Sequence, residues 1–383
     1  MYRNTRFGEL MKVLPRCVFN RCVSRYQSDK HSKGFGSWAQ LLSLIYAQLS
    51  GVNSLRELEV GFNSQVRSHY HLGSRRVCRS TLSDANRDRD AGVFEAFCEE
   101  LMTGAHRRVR REMKELLYLL DSTPICLRGR GYEWTQGRSQ SRVPGLKLHV
   151  LYSPQSRLPC GSRVTVSSAS DLGYGREIEI ESGAKYVFDK GYCDYGWWHK
   201  LNEAGAYFVT RLKRNASIKV KAARSVQGEI VSDEEIELNN KYPGGGRGKN
   251  PYSASLRRVV VARGEGKDDL VLVSNLLDAS AEEIAGLYKA RWGIELWFKW
   301  IKQHLQLKTF LGRSQNAVKI QLIVALITYL LMDRYRRLSG ATESFYLWMV
   351  ELRSTLFQRV PVTDEGTRRR HPPPPDIQGA LAL

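Results

Sequence analysis

Apolar positions along this chain change period twice, and each change marks a different kind of element. Up to about residue 112 they recur at helical spacing. Ser37 opens a run that stops before Gly51, and Ser54 with Glu57 has capping-box spacing and opens a helix toward Phe62. A short polar helix is predicted at about 80–89 (STLSDANRDR) and a longer one at about 93–110. At Glu115 the period breaks. ELLYLL is a continuous apolar run that stops at Asp121, the pattern of a central buried strand. LKLHVLY (146–152) and residues 163–167 alternate, which predicts an antiparallel meander opening a mixed sheet. Residues 186–188 form a short strand ending at Asp189, and Gly191 then permits a sharp turn. A helix over 195–204 and a strand over 207–212 follow.

Residues 215–275 read as a β-rich insertion, with short strands at 217–220, 229–231, 258–262 and 270–273. Their glycine-rich loop, GGGRGKN, imitates a phosphate-binding loop, but its spacer is one residue short and Asn250 replaces the required Ser or Thr. It does not read as a nucleotide site. Helical spacing returns behind the capping pair Ser280 and Glu283 and continues to about Phe357. The apolar run 322–332 is too short to span a bilayer and reads as a buried helix. The expected organisation is a helical module over 1–112, a first core segment over 113–214, the insertion over 215–275, a second core segment with C-terminal helices over 276–358, and a disordered tail over 359–383.

Composition narrows the function. The chain has 383 residues and a formal charge of +20, with Lys and Arg clustered along its whole length, which points to a polyanionic partner and most simply to nucleic acid. No apolar leader is read in Met1–Leu14, and no membrane association is expected. Seven cysteines, none in CxxC spacing, argue against a zinc site or a disulfide framework and for a reducing cytosol. His69 and His71, in a loop-like run, make a poor metal pair. The short helices of the first module, with Arg87 on the polar one, have the pattern of a helix-turn-helix-like DNA-binding unit.

The candidate chemistry lies in LYKARWGIELWFKWIKQHL (287–305). Tyr288, Arg291, Glu295 and Lys302 fall within about 60° of one another on a helical wheel, beside an apolar stripe of Leu287, Ile294, Phe298, Ile301 and Leu305. Most charged stripes are only solvated faces. This one places a single carboxylate between two cations and a phenol, in a chain where two further acids, Asp121 and Asp189, end apolar strands. Carboxylates at buried strand ends need cations or a metal. Three of them converging would suit Mg²⁺, which takes a few carboxylates plus water and phosphate oxygens.

LLDST (119–123), FDKGY (188–192) and the set Tyr288, Arg291, Glu295 and Lys302 resemble the Asp-Asp-Glu transposases of bacterial insertion sequences, specifically the insertion-sequence 4 group. The resemblance covers about residues 5–340, and STLSDANR is similar to the usual first domain of that group. It implies a ribonuclease-H-like core, a five-stranded mixed sheet with flanking helices, together with the β-rich insertion and an N-terminal all-helical domain. It implies that Asp121, Asp189 and Glu295 bind two Mg²⁺ ions, with Mn²⁺ as a substitute, and that Tyr288, Arg291 and Lys302 hold DNA phosphates. It extends the DNA contact to Lys190, where the group commonly has Arg, and to Arg87. The implied protein cleaves element ends and transfers strands into double-stranded target DNA, as a homodimer on DNA, in the bacterial cytoplasm at the nucleoid. The competing readings are a metal-dependent nuclease of the same fold and a non-catalytic DNA-binding regulator.

Overall fold

In the computed structural model, residues 4–135, 144–241, 248–264 and 266–360 are described. The tail from Pro361, most of the glycine-rich loop and the second half of the basic segment 128–142 lie outside them. The helices are α1 (Arg6–Lys12), α2 (Arg16–Arg25), α3 (Ser37–Ser50), α4 (Leu55–Asn63), α5 (Val66–Leu72), α6 (Arg79–Asp88), α7 (Gly92–Glu112), α8 (Asp171–Gly175), α9 (Tyr195–Glu203), α10 (Ala281–Ala290), α11 (Trp292–His304), α12 (Gln315–Leu338) and α13 (Phe345–Ser354). The chain divides into two compact units, one of residues 1–97, 309–312 and 320–383, the other of residues 98–308 and 313–319.

The first unit is helical. The Ser54 hydroxyl accepts the Glu57 amide at 3.2 Å while the Glu57 carboxylate accepts the Asn53 amide at 2.9 Å, so the start of α4 is fastened from both sides. Gly51 closes α3 at φ +73°, a conformation costly for any residue with a Cβ. His69 does not lie in a loop: it is on α5, buried and stacked on Phe62 at 4.5 Å between ring centroids. The run 322–332 sits within α12, a 24-residue helix long and apolar enough by length and composition to cross a membrane. Of its most apolar window, 83% is buried inside the protein, as in a core helix.

The second unit is built on a sheet of β1 (Leu117–Cys126), β2 (Gly145–Ser153), β3 (Leu158–Val166), β4 (Lys185–Phe188), β5 (Tyr207–Arg211), β6 (Ile218–Ala223), β7 (Ile230–Leu238), β8 (Leu256–Val261) and β9 (Leu270–Ser274). Among the described residues it has nine strands in the order β3-β2-β1-β4-β5-β9-β8-β7-β6. The first three are antiparallel, and β4 and β5 join parallel to β1. The fold is therefore mixed α/β, but the expected five-stranded sheet is too small. β9 pairs antiparallel with β5, so the strands of the insertion continue the core sheet by hydrogen bonds instead of hanging from it.

Two further expectations are corrected. β1 does not stop at Asp121, because β2 supplies partners from Asp121↔Val150 through Cys126↔Gly145. Its other neighbour, β4, ends its ladder at Leu120↔Phe188, and that opened edge tolerates Pro124, which has no N–H to donate. The helix expected over 280–305 is two helices that meet at Arg291. The Arg291 amide bonds the Tyr288 carbonyl at 3.1 Å and the Ile294 amide bonds the Arg291 carbonyl at 3.2 Å, a tighter turn than α-helix. Gly293, a poor helix former, lies just beyond the joint.

A candidate active site at the joint of two helices

Asp121 and Asp189 are neighbours because β1 and β4 are. The parallel ladder pairs Leu120 with Phe188, so the next residue on each strand is one of the acids. Adjacent strands lie about 4.8 Å apart, which sets the two backbones side by side where β4 ends. The third acid comes from α11, whose apolar face (Ile294, Phe298 and Ile301) is buried. Gly293 brings the start of that helix against Leu119 of β1, with an added Cβ 3.6 Å from the Leu119 Cδ1.

The joint residue holds the centre. Arg291 donates from one nitrogen to Asp121 at 3.1 Å and from another to Glu295 at 2.5 Å, and its guanidinium lies 5.6 Å from the centroid of the Tyr288 ring. The Tyr288 hydroxyl is 3.5 Å from an Asp189 carboxylate oxygen. Lys302 donates to the Thr123 hydroxyl at 2.6 Å and the Pro124 carbonyl at 3.0 Å, two to three positions beyond Asp121 on β1. Tyr288, Arg291 and Lys302 thus reach β1 or the end of β4 despite the break between their helices, and Glu295 is tied to them through Arg291. Asp121 is only 18% exposed. Burial pushes its carboxyl up to about 6; the Ser122 amide and Arg291 oppose the rise, and the charges of Glu295 and Asp189 add to it. Burial also raises the Tyr288 hydroxyl and lowers the Lys302 ammonium.

The acids are gathered around Arg291 but are not closed into a cage. Among the described residues no three His, Cys, Asp or Glu side chains stand close enough to hold a metal ion. The donor set nevertheless suits a hard dication. A buried carboxyl raised by two neighbouring carboxylates is relieved by positive charge, and Arg291 occupies that role between Asp121 and Glu295.

Reading the sequence named Lys190 but missed the other cations beside Asp189. A cleft of about 920 Å³ is lined by Asp189, Lys190, Arg211, Lys213 and Arg214. Lys190 is exposed in the turn after Asp189, while Arg211, Lys213 and Arg214 come from the end of β5. The run RLKR was visible in the sequence, but only the parallel pairing of β4 with β5 brings it beside the acid. Arg87 belongs to the helical unit, where it pairs with Asp88 at 2.8 Å and Asp84 at 2.9 Å on the exposed face of α6.

Two acids abutting on parallel strands, a helix-borne glutamate and surrounding cations are the kinds of side chain that phosphoryl transfer calls for. Residues 112–331 match the family model of the transposase DDE domain, and residues 2–75 match a family described as a domain of unknown function, DUF4372. The chain belongs to the DDE transposase family, whose members cleave DNA and transfer strands. It is similar to the putative transposase y4zB of Sinorhizobium fredii, 40% identical over 298 residues that cover 76% of this chain and 80% of that protein. A probable transposase for insertion sequence element IS5377 of Geobacillus stearothermophilus is 28% identical, with 70% of each chain covered. A putative transposase for insertion sequence element IS4SA of Synechocystis is 30% identical, with 66% of this chain and 70% of that protein covered. Among solved structures, a chain of the piggyBac transposase synaptic complex with hairpin DNA, determined by cryo-EM, covers 91% of this chain and 77% of its own at 12% identity. Its TM-score of 0.49 is too slight a likeness to build on.

Proposed function

We propose that Asp121, Asp189 and Glu295 are the acids of this transposase, and that it binds the ends of an insertion element, cleaves them and joins them to target DNA. The observation that carries the reading is the bridging of Asp121 and Glu295 by Arg291 beside Asp189, residues far apart in the chain. The strand order β3-β2-β1-β4-β5 supports a ribonuclease-H-like core. The three carboxylates would hold Mg²⁺ or Mn²⁺, with Arg291 displaced toward a phosphate. Such ions, when bound, activate the attacking oxygen and stabilise the leaving one.

The chain's own groups do the binding and orienting. Lys302, tethered to β1 just past Asp121, and Arg291 at the helix joint are set to hold phosphates flanking the scissile bond, with Tyr288 between Arg291 and Asp189. Lys190, Arg211 and Lys213 offer a second phosphate track on the other side of Asp189. The helical unit, with Arg87 on its surface, is the candidate reader of the element end, and the working form is a homodimer on double-stranded DNA. In the first step water attacks the phosphodiester at the element end, and the broken P–O bond leaves a 3′-hydroxyl. In the second that hydroxyl attacks a target phosphodiester, so one P–O bond is exchanged for another and no protein–DNA link forms.

The test is Asp121→Asn. End cleavage in Mg²⁺ or Mn²⁺ should vanish while end binding remains. Cleavage that survives would remove Asp121 from the chemistry, and products never joined to a target plasmid would favour a nuclease.

A further inference from the structure

On the face of the sheet opposite Arg291 lies a polar cluster that the mechanism does not use. Neighbouring residues on a strand point to opposite faces, so Ser122 looks away from the side on which Asp121 meets Arg291. The Ser122 hydroxyl donates to Asp171 Oδ1 at 2.6 Å. Lys147 donates to that same oxygen at 3.1 Å and to the Ala169 carbonyl at 2.9 Å. His149, opposite Ser122 in the β1–β2 register and fully buried, has Nδ1 at 3.6 Å from it. The other oxygen, Oδ2, faces the turn that follows Asp189: a Cβ added to Gly191 would lie 3.4 Å away. Tyr192, at the end of that turn, is buried, and its hydroxyl is pushed up by burial and then by the charges of Asp171 and Asp121.

Ser122 faces both ways. Its hydroxyl is held by Asp171, and its backbone N–H donates to Asp121 Oδ1 at 2.8 Å. We infer that Asp171 is a positioning residue for the catalytic pair: through Ser122 it fixes the peptide that orients the Asp121 carboxylate, and through its seat under residues 190–192 it sets how the chain leaves β4 at Asp189. One carboxylate thereby couples two acids that no covalent or ladder bond joins beyond Leu120 and Phe188. Groups that orient a ligand residue from behind govern its geometry, and loosening them commonly costs 10- to 100-fold. The inference rests on the assignment of Asp121 and Asp189 made above.

The experiment compares Ser122→Ala, Ser122→Thr, Asp171→Asn and the double variant Ser122→Ala/Asp171→Asn. Three quantities are read: the single-turnover cleavage rate on an end-containing duplex, the Kd for that duplex, and calorimetric affinity for Mn²⁺. Ser122→Ala, a small change that leaves the backbone intact, should slow cleavage by about 10- to 100-fold and weaken Mn²⁺ binding, with duplex Kd within about twofold of wild type. The double variant should be no slower than the worse single one, because both break the same link. Ser122→Thr, which restores a hydroxyl, should recover most of the rate. Wild-type cleavage and Mn²⁺ affinity in both Ser122→Ala and Asp171→Asn, with Asp121→Asn inactive, would overturn the role of Asp171 and leave the acids standing. Active Asp121→Asn would overturn both.

Discussion

Replacing Asp121 by asparagine should strengthen the fold while ending the chemistry. The Asp121 carboxyl is raised from 3.8 to about 6 by burial, with Arg291 already counted in its favour. A carboxyl whose folded value lies above its unfolded value contributes stability while protonated. That contribution is complete below about pH 4 and is lost as pH rises through 6. At about 1.4 kcal/mol per tenfold, the loss is about 3 kcal/mol by neutral pH. Asparagine carries no charge to bury, and its side-chain oxygen can still accept the Ser122 amide, while Arg291 keeps Glu295. Urea unfolding of wild type and Asp121→Asn in metal-free buffer across pH 4–8 measures the effect. The two should be similar near pH 4 and diverge through pH 6, until the variant is more stable by up to about 3 kcal/mol. Titrating groups that do not interact with Asp121 cancel in the difference. A difference that does not change with pH, or a less stable variant at pH 7.5, would refute the argument that this site holds its acid at the expense of the fold.

Lys302→Met should flatten the slope of log affinity against log salt for end DNA by about one, measured by fluorescence anisotropy over a salt series. An unchanged slope would place Lys302 outside the interface. Asp233→Ala should cost about 3–5 kcal/mol in chemical denaturation, because it strands the buried Arg257, which pairs with Asp233 at 2.5 Å and also caps the Leu277 and Ala279 carbonyls ahead of α10. Replacing both partners by apolar residues should cost less, and an equal cost would show that the capping bonds rather than the ion pair dominate.

The elements were legible where one physical signal decided them. Ser54 and Glu57, and Ser280, mark helix starts by side-chain capping, and the glycine after α3 marks its end by a backbone conformation that a Cβ disfavours; the helices begin and end there. The alternation of LKLHVLY placed β2 because its pattern has no helical alternative. What misled was pairing, which no single strand contains. The extension of β1 past Asp121 depends on β2, and the union of insertion and core sheet depends on β9 meeting β5. The site divides the same way. Tyr288, Arg291, Glu295 and Lys302 were legible as one stripe, although the break at Arg291 was signalled only by Gly293 just beyond it, and one glycine does not by itself end a helix. Asp171 was one acid among many until the fold set Ser122 against it.

The return of β9 to β5 makes the insertion impossible to trim as an appendage. β9 is the only described neighbour of β5 on the side away from β4, and the chain reaches it only after passing through β6, β7 and β8. A shortened protein that skipped to α10 would leave the strand beside Asp189 with a bare row of amides and carbonyls, open to pairing with another molecule. Losing those strands would therefore turn a recombination enzyme into a seed for aggregation.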